Sequence, residues 1–420
     1  MHSEPAIPSE MRALVLGGTG FEHMRIEQVP TPRPGPRQVL ARVDAAGICT
    51  SLIKLVEQGP AHELLYGWDP ARWPLILGDE GSVTLVEVGE ELQDSYAVGG
   101  RFVIQPAVDH APVNHRERYL KGAESVRKVA VGYTLAGHLA EYILVAEEVL
   151  GAGCLLPIPD PALPFAHAAM AEPVSCVISA QDHHVHLAQE TGLSPRSTTK
   201  GLKPGGVTVV MGAGAMGRIH VDLAFAYRPD AIVVADPIPE RLARVRSLFE
   251  ERSGRLGISL RTVPVSAIGE ALKALSGGRG ADDVIIAVAS PEAIESGLRL
   301  VGRGGVVNLF GGLKQSESRV PIDTSVVHYR EINITGSSGG SPWDVAHALE
   351  LMAAGEIDPA LHITRVGDLS HATRLLELVE AREIDGKAVV YPHRPADEIL
   401  AVDSWTAEDE RAYLDMSPPE

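Results

Sequence analysis

The sequence predicts an α/β protein of two domains, a glycine-rich, partly open β-barrel and a doubly wound parallel sheet. Three observations carry this. At 420 residues the chain exceeds one ordinary core. Residues 11–108 read as short apolar runs punctuated by Gly and Pro, an all-β texture. From about Pro161 strand-like runs alternate with helical segments, which implies a parallel sheet.

In chain order, Ala13–Leu16 is a short apolar run closed by Gly17-Gly18, and Pro30–Pro36 is a loop. Val39–Val43 alternates as a half-buried strand does, and Gly81–Val88 and Arg101–Ile104 follow as strands. Ala162–Gln181 is helix-like, with Pro164 and Pro173 as interruptions. Then come strand Val207–Met211, helix Gly217–Tyr227, strand Ala231–Ala235, helix Pro239–Glu250 and strand Val284–Ala289. Helix Glu292–Leu300 and strands Gly305–Phe310 and Ile332–Thr335 complete this part. Helix Trp343–Ala354 and strand Lys387–Tyr391 precede an acidic tail from about Pro395. The tail reads either as a helix docked on a partner subunit or as a frayed end.

A formal net charge of −18 argues against nucleic acid and against an anionic membrane surface as partners. Apolar residues at 45% and charged residues at 22% describe a globular chain. The three cysteines Cys49, Cys154 and Cys176 exclude a disulfide framework and a four-thiolate zinc site. The first ten residues hold two glutamates and two prolines and do not read as a signal peptide, and no run is long and apolar enough to span a membrane. The expected compartment is the cytoplasm.

Gly212-Ala213-Gly214-Ala215-Met216-Gly217 fits G-x-G-x-x-G directly after a strand and at the start of a helix. The glycines permit a tight turn, close approach of a pyrophosphate and helix–strand packing, with the helix N-terminus facing the phosphates. Asp236 ends the next strand, where a carboxylate bonds adenosine ribose hydroxyls and disfavours a ribose phosphate. NAD is therefore expected ahead of NADP. Arg241, five residues on, is either a solvated helix arginine or a complication of that preference.

Gly47-Ile48-Cys49-Thr50-Ser51, Gly78-Asp79-Glu80-Gly81, Val98-Gly99-Gly100-Arg101, Gly137-His138-Leu139-Ala140-Glu141-Tyr142, Ala171-Glu172-Pro173 and Leu202-Lys203-Pro204-Gly205 follow one another in this order. Together they resemble the medium-chain dehydrogenase/reductase family, most nearly its zinc-dependent sorbitol, threonine and sugar-phosphate dehydrogenase branch. The resemblance spans roughly Met11 to Pro392 and implies a GroES-like catalytic domain beside a Rossmann domain. It implies one catalytic zinc on Cys49, Asp79 and Glu172, with Glu80 beside the metal and coordinating in some states. Ser51 would pass the alcohol proton outward, and Lys54 stands where the family often has a relay histidine. Lys54 and the long stretch Gln58–Trp73 resemble the sorbose-phosphate reductase and galactonate dehydrogenase subgroup.

Two departures stand out. Asp79 replaces the expected zinc histidine, and Leu52 replaces an aspartate that would orient it. Either Asp79 is an oxygen ligand, which zinc accepts, or the metal site has decayed. If zinc is retained, Zn²⁺ with Cys49, Asp79 and Glu172 carries one negative charge more than the histidine form. That implies a weaker Lewis acid and a more alkaline optimum for oxidation.

The family's structural zinc is not expected, since Asp109–Lys128 has no cysteine. It holds His110, His115, Arg116, Arg118, Lys121, Arg127 and Lys128, read as a solvated loop or as a receiver of anionic groups. His183-His184-Val185-His186 reads as an exposed helix end rather than a metal site, for want of an acidic companion. Cys154 reads as a loop thiol and Cys176 as packing near the nicotinamide.

Val306–Gly312 resembles the family's edge strand, so a homodimer or homotetramer is expected. The expected division is 1–177 with 336–395 as catalytic domain, 178–335 as cofactor domain, and 396–420 as tail. The implied activity is NAD(H)-linked interconversion of a secondary alcohol (polyol, sugar or derivative) and its ketone. Two alternatives stay open: a metal-free NAD(P)H reductase of the same fold, and a catalytically disabled nucleotide-binding protein.

Overall fold

The computed structural model describes residues 7–120, 122–314 and 317–416. The chain forms two compact units. One runs to Pro173 and takes in Ser341–Ala354 and the chain from Pro359 onward; the other is Val174–Gly340 with Gly355–Asp358.

The first unit is built on an eight-stranded sheet. Its central strand, Val39–Ile48, pairs antiparallel with Glu80–Val88, Tyr142–Val145 and Lys387–Tyr391. The register sets Gly47 opposite Glu80 on one side and Val389 on the other. Alternating residues such as Val39, Ala41 and Val43 feed the main apolar core, which also takes Leu52 and Leu55 from helix Thr50–Gln58. Burying each such leucine or valine contributes roughly 1.5–3 kcal/mol. A smaller sheet pairs Glu10–Leu16 with Met24–Pro30 and Leu75–Ile76.

The second unit is a six-stranded parallel sheet. Numbered along the chain, Val207–Met211, Ala231–Ala235, Ser259–Val263, Ala281–Ile286, Val301–Leu309 and Asn333–Gly336 lie in the order 3-2-1-4-5-6. This is the doubly wound arrangement, whose strand order reverses between Val207–Met211 and Ala281–Ile286. Val209, Val233, Val284 and Val307 are fully buried, as strands covered on both faces require.

Several expectations change. Pro173 does not interrupt a helix: Phe165–Ala169 and Ala171–Asp182 are separate helices, and Pro173 sits in the first turn of the second, where no N–H is needed. Val306–Gly312 is not an edge, because Val301–Leu309 pairs with Ala281–Ile286 and Asn333–Gly336; the edge strand is Asn333–Gly336. The tail is neither frayed nor free over its described length, since helix Ala407–Asp415 packs on its own unit. The Glu410 carboxylate there accepts the backbone N–H of Phe165 (2.6 Å) and Ala166 (2.8 Å) and the Tyr391 hydroxyl (2.7 Å). Nor is His184 at an exposed helix end. Val185–Ala188 opens a hairpin with Ser197–Lys200, and His184 and His186 are buried.

Among the described residues no helix is long and apolar enough to cross a membrane.

Candidate active site

Cys49 ends the central strand and caps helix Thr50–Gln58, its thiol accepting the Ser51 N–H at 3.5 Å. Asp79 and Glu80 open the neighbouring strand, and Glu172 lies in the first turn of Ala171–Asp182. Asp79, Glu80 and Glu172 are all buried. Local glycines make this possible. A Cβ on Gly47 would fall 2.1 Å from Glu80 Oε2, so only glycine opposite Glu80 leaves room for its carboxylate. Gly78 has φ +110, and a Cβ there would lie 2.6 Å from the Leu139 nitrogen.

The four acidic groups act on one another. Burial, then Asp79 and Glu80, push the Cys49 thiol well above its ordinary value. Burial and Glu80 push Asp79 up to about 6, against a lowering hydrogen bond from Ser51. Ser51 donates that bond to Asp79 Oδ2. Asp79 Oδ1 and Glu80 Oε2 are buried without a hydrogen-bond partner. Among the described residues one cation reaches the group: Lys387, at the start of strand Lys387–Tyr391, lies 2.5 Å from Glu80 Oε1 and 3.3 Å from the Ile48 carbonyl. Its pKa is raised: burial works against the charge, and Glu80 and Cys49 outweigh it.

A thiol and three carboxyls facing one lysine form a donor set that fits a divalent cation. The orphaned oxygens of Asp79 and Glu80 fit it too. Leu52, fully buried in the apolar core, has no imidazole to orient, consistent with Asp79 at the histidine position. His138, from the G-H-L-A-E-Y motif, is not part of the donor set. Its Nδ1 lies 3.3 Å from the Gly78 carbonyl, and burial lowers its pKa to about 4.

Lys54 is exposed on the helix that carries Ser51. One site residue escaped the sequence reading: Lys387 neutralises Glu80. Lys387 left a signal, a lysine opening the otherwise apolar run Lys387–Tyr391.

In the second unit the fingerprint is built as its glycines require. Gly212 has φ +108, and a Cβ on Gly217 would meet the Gly212 carbonyl oxygen at 1.9 Å. Gly214 precedes helix Ala215–Ala224, which also contains Met216. A Cβ at Gly214 would have only an Arg241 nitrogen in reach, at 3.9 Å. Arg241 is thus a neighbour of the loop rather than a remote surface group. Asp236 is buried, its oxygens accepting the Ala213 and Ile238 N–H groups, each at 2.8 Å. These bonds aim the carboxylate at the glycine loop.

His184 Nδ1 and His186 Nε2 lie 2.6 and 2.8 Å from one oxygen of Asp283, the acidic companion absent from the local sequence. Such separations are hydrogen bonds, because donors around one zinc ion stand about 3.3 Å apart. Burial would raise Asp283, but the two histidines bring it down to about 2. Of the basic cluster, Arg116 pairs with Glu124 at 3.0 Å and Arg118 stacks over Trp68 at 4.9 Å, while Lys121 lies outside the described residues. Cys154 is buried, and burial pushes its thiol up to about 11.

Residues 35–160 match the family described as "Alcohol dehydrogenase GroES-like domain", and residues 215–354 match "Zinc-binding dehydrogenase". The chain is 31% identical to mannitol-1-phosphate 5-dehydrogenase of Aliivibrio fischeri over 381 residues, 89% of this chain and 85% of that one. It is 28% identical to L-sorbose 1-phosphate reductase of Klebsiella pneumoniae, over 84% of this chain and 82% of the relative. A Sinorhizobium meliloti chain placed among the zinc-binding dehydrogenases, solved bound to NADP, superposes with a TM-score of 0.70 at 26% identity, covering 92% of this chain and all of that one. The fold of 2R,3R-butanediol dehydrogenase from Bacillus subtilis also superposes, with a TM-score of 0.70 at 21% identity over 91% of this chain and all of that one. The chain therefore belongs to the zinc-type medium-chain dehydrogenases and is an oxidoreductase acting on alcohol groups.

Proposed function

We propose that the chain is a zinc-dependent, NAD(H)-linked dehydrogenase that interconverts a secondary alcohol of the polyol or sugar class with its ketone. One observation carries this: Cys49, Asp79, Glu80 and Glu172 are gathered around a single lysine, with carboxylate oxygens left unpaired. Without a cation such a set is costly to bury.

Cys49, Asp79 and Glu172 would hold the zinc, with Glu80 in reserve. When bound, it would polarise the substrate oxygen and favour the alkoxide. Ser51 would receive the alcohol proton, with Lys54 or water beyond it. The Gly212, Gly214 and Gly217 backbone, with Ala215 and Met216 at the helix start, would cradle the pyrophosphate. Asp236 would bond the adenosine ribose, and its carboxylate favours NAD over a 2′-phosphate. Arg241, beside Gly214, would meet the ribose or phosphate oxygens. The relatives' printed names make phosphorylated hexitols and ketoses the first compounds to try.

Zinc content and turnover of a panel of polyols, ketoses and their phosphates, with NAD⁺ and NADP⁺, test this. About one zinc per chain is expected, with turnover of at least one panel member. Cys49→Ala should abolish both while leaving NADH binding intact. A Cys49→Ala protein with full activity would establish the metal-free reductase instead.

A further inference from the structure

We propose that Glu410 is a positioning residue that fixes the Glu172 donor from outside the metal centre. It rests on the metal role given to Glu172 above. Helix Phe165–Ala169 starts at Pro164, which has no side-chain cap to offer the helix's first N–H groups. Glu410 supplies one from helix Ala407–Asp415. Its Oε1 accepts the Phe165 N–H at 2.6 Å and its Oε2 the Ala166 N–H at 2.8 Å. Glu410 is 4% exposed, so these bonds are sheltered from water. Its own place is fixed in turn. The Tyr391 hydroxyl donates to Oε2 at 2.7 Å and accepts the Trp405 Nε1–H at 2.7 Å. His167 Nε2 donates to the Trp405 carbonyl at 2.6 Å, which closes a ring of contacts back to helix Phe165–Ala169. Tyr391 ends the strand that Lys387 opens, so one strand carries both the cation beside Glu80 and the anchor of Glu410.

The same segment is held on its other side by the strands of the site. Ser82, in the strand that Glu80 opens, donates its hydroxyl to the Phe165 carbonyl at 2.8 Å. Arg101 donates to the Pro161 and Leu163 carbonyls, each at 2.7 Å, and its guanidinium lies 4.4 Å from the centre of the Phe165 ring. Phe165 is thus gripped at its N–H by Glu410 and at its carbonyl by Ser82. From there to Glu172 the chain stays close to helical: Met170, between the two helices, has φ −73 and ψ −6. Ala166, Ala168, Ala169 and Ala171 are all buried, and the helix packs on strands Val39–Ile48 and Glu80–Val88. Alanines have no side-chain torsion to absorb a shift, and close-packed interiors transmit strain, so a displacement at Phe165 reaches Glu172.

Glu410→Ala and Glu410→Gln, with the core truncation Met11→Ala as control, test this on the full-length protein. The readout is zinc affinity by chelator competition, at a temperature where each variant is folded. Glu410→Ala should bind zinc about tenfold more weakly, and Glu410→Gln, which keeps an acceptor oxygen for these N–H groups, should stay within about threefold of the parent. Met11→Ala, in the separate small sheet, should lose stability without losing affinity. In a Glu172→Gln background Glu410→Ala should cost less than about twofold. If the alanine variant does not fold, Glu410→Asp, which withdraws the carboxylate by one methylene, carries the same test. An affinity within about twofold of the parent overturns the proposal, as does an undiminished loss in the Glu172→Gln background. A parent that takes up no zinc removes the dehydrogenase reading, and hydrogen exchange over residues 165–172 then decides the positioning. Faster exchange there in Glu410→Ala than in Met11→Ala supports it, and equal exchange overturns it.

Discussion

Replacing Lys387 by methionine removes the cation paired with Glu80 while filling a similar volume. Lys387 and Glu80 are 6% and 1% exposed. Removing one partner of a buried ion pair costs about 3–5 kcal/mol, a large part of a total stability of about 5–15 kcal/mol. In the parent, Lys387 has a raised pKa, so its stabilisation is complete below the unfolded lysine value of about 10.4. It is lost only as pH rises through the still higher folded value, so it is constant between pH 5.5 and 8. Urea unfolding in EDTA at pH 8 should therefore show a gap of about 3–5 kcal/mol. Lys387→Arg should recover most of it. A variant as stable as the parent at pH 8 would refute Lys387 as the counter-charge.

Asp79→His removes one negative charge about 4–5 Å from the bound oxygen, worth roughly 3–4 kcal/mol at an effective dielectric of 20. The kinetic pKa for oxidation should fall by up to about 2–3 units, read from kcat/KM against pH in the zinc-loaded enzyme. Glu410→Ala leaves the Phe165 and Ala166 N–H groups without their acceptor, and should cost about 3 kcal/mol in urea unfolding. Asp283 is held at about 2, below its ordinary 3.8, so its stabilisation is present above about pH 4 and lost as pH falls through 2. Asp283→Asn should cost on the order of 2 kcal/mol at pH 7 and flatten the parent's acid limb in a pH series of melts.

Periodicity and glycine placement made the parallel sheet legible, because Val207–Met211 and Ala231–Ala235 are continuous apolar runs closed by a glycine loop and an aspartate. What escaped were contacts made by closure of distant segments. Asp283 meets His184 and His186 from a strand start nearly a hundred residues away, so a local search for an acidic companion found none. Glu410 looked like one more tail acid, yet it caps the start of helix Phe165–Ala169. Two of its partners are backbone N–H groups, which side-chain patterns do not reveal. The edge strand was misplaced because Gly305–Phe310 and Ile332–Thr335 are equally strand-like; only pairing shows which is last.

The aspartate at the histidine position illustrates how residues around a donor follow its chemistry. A histidine ligand has a second ring N–H that needs an acceptor, and an aspartate at position 52 could supply one. An aspartate donor has the opposite need, since its remaining oxygen wants a hydrogen. At Asp79 that hydrogen comes from Ser51. Position 52 is then released from polar duty, and Leu52 buries fully in the core. A site decaying at random has no reason to change acceptor for donor around one residue while keeping Cys49, Glu80 and Glu172 enclosed. The pairing of Asp79 with Ser51 and Leu52 therefore favours a working site of altered charge over a disabled one.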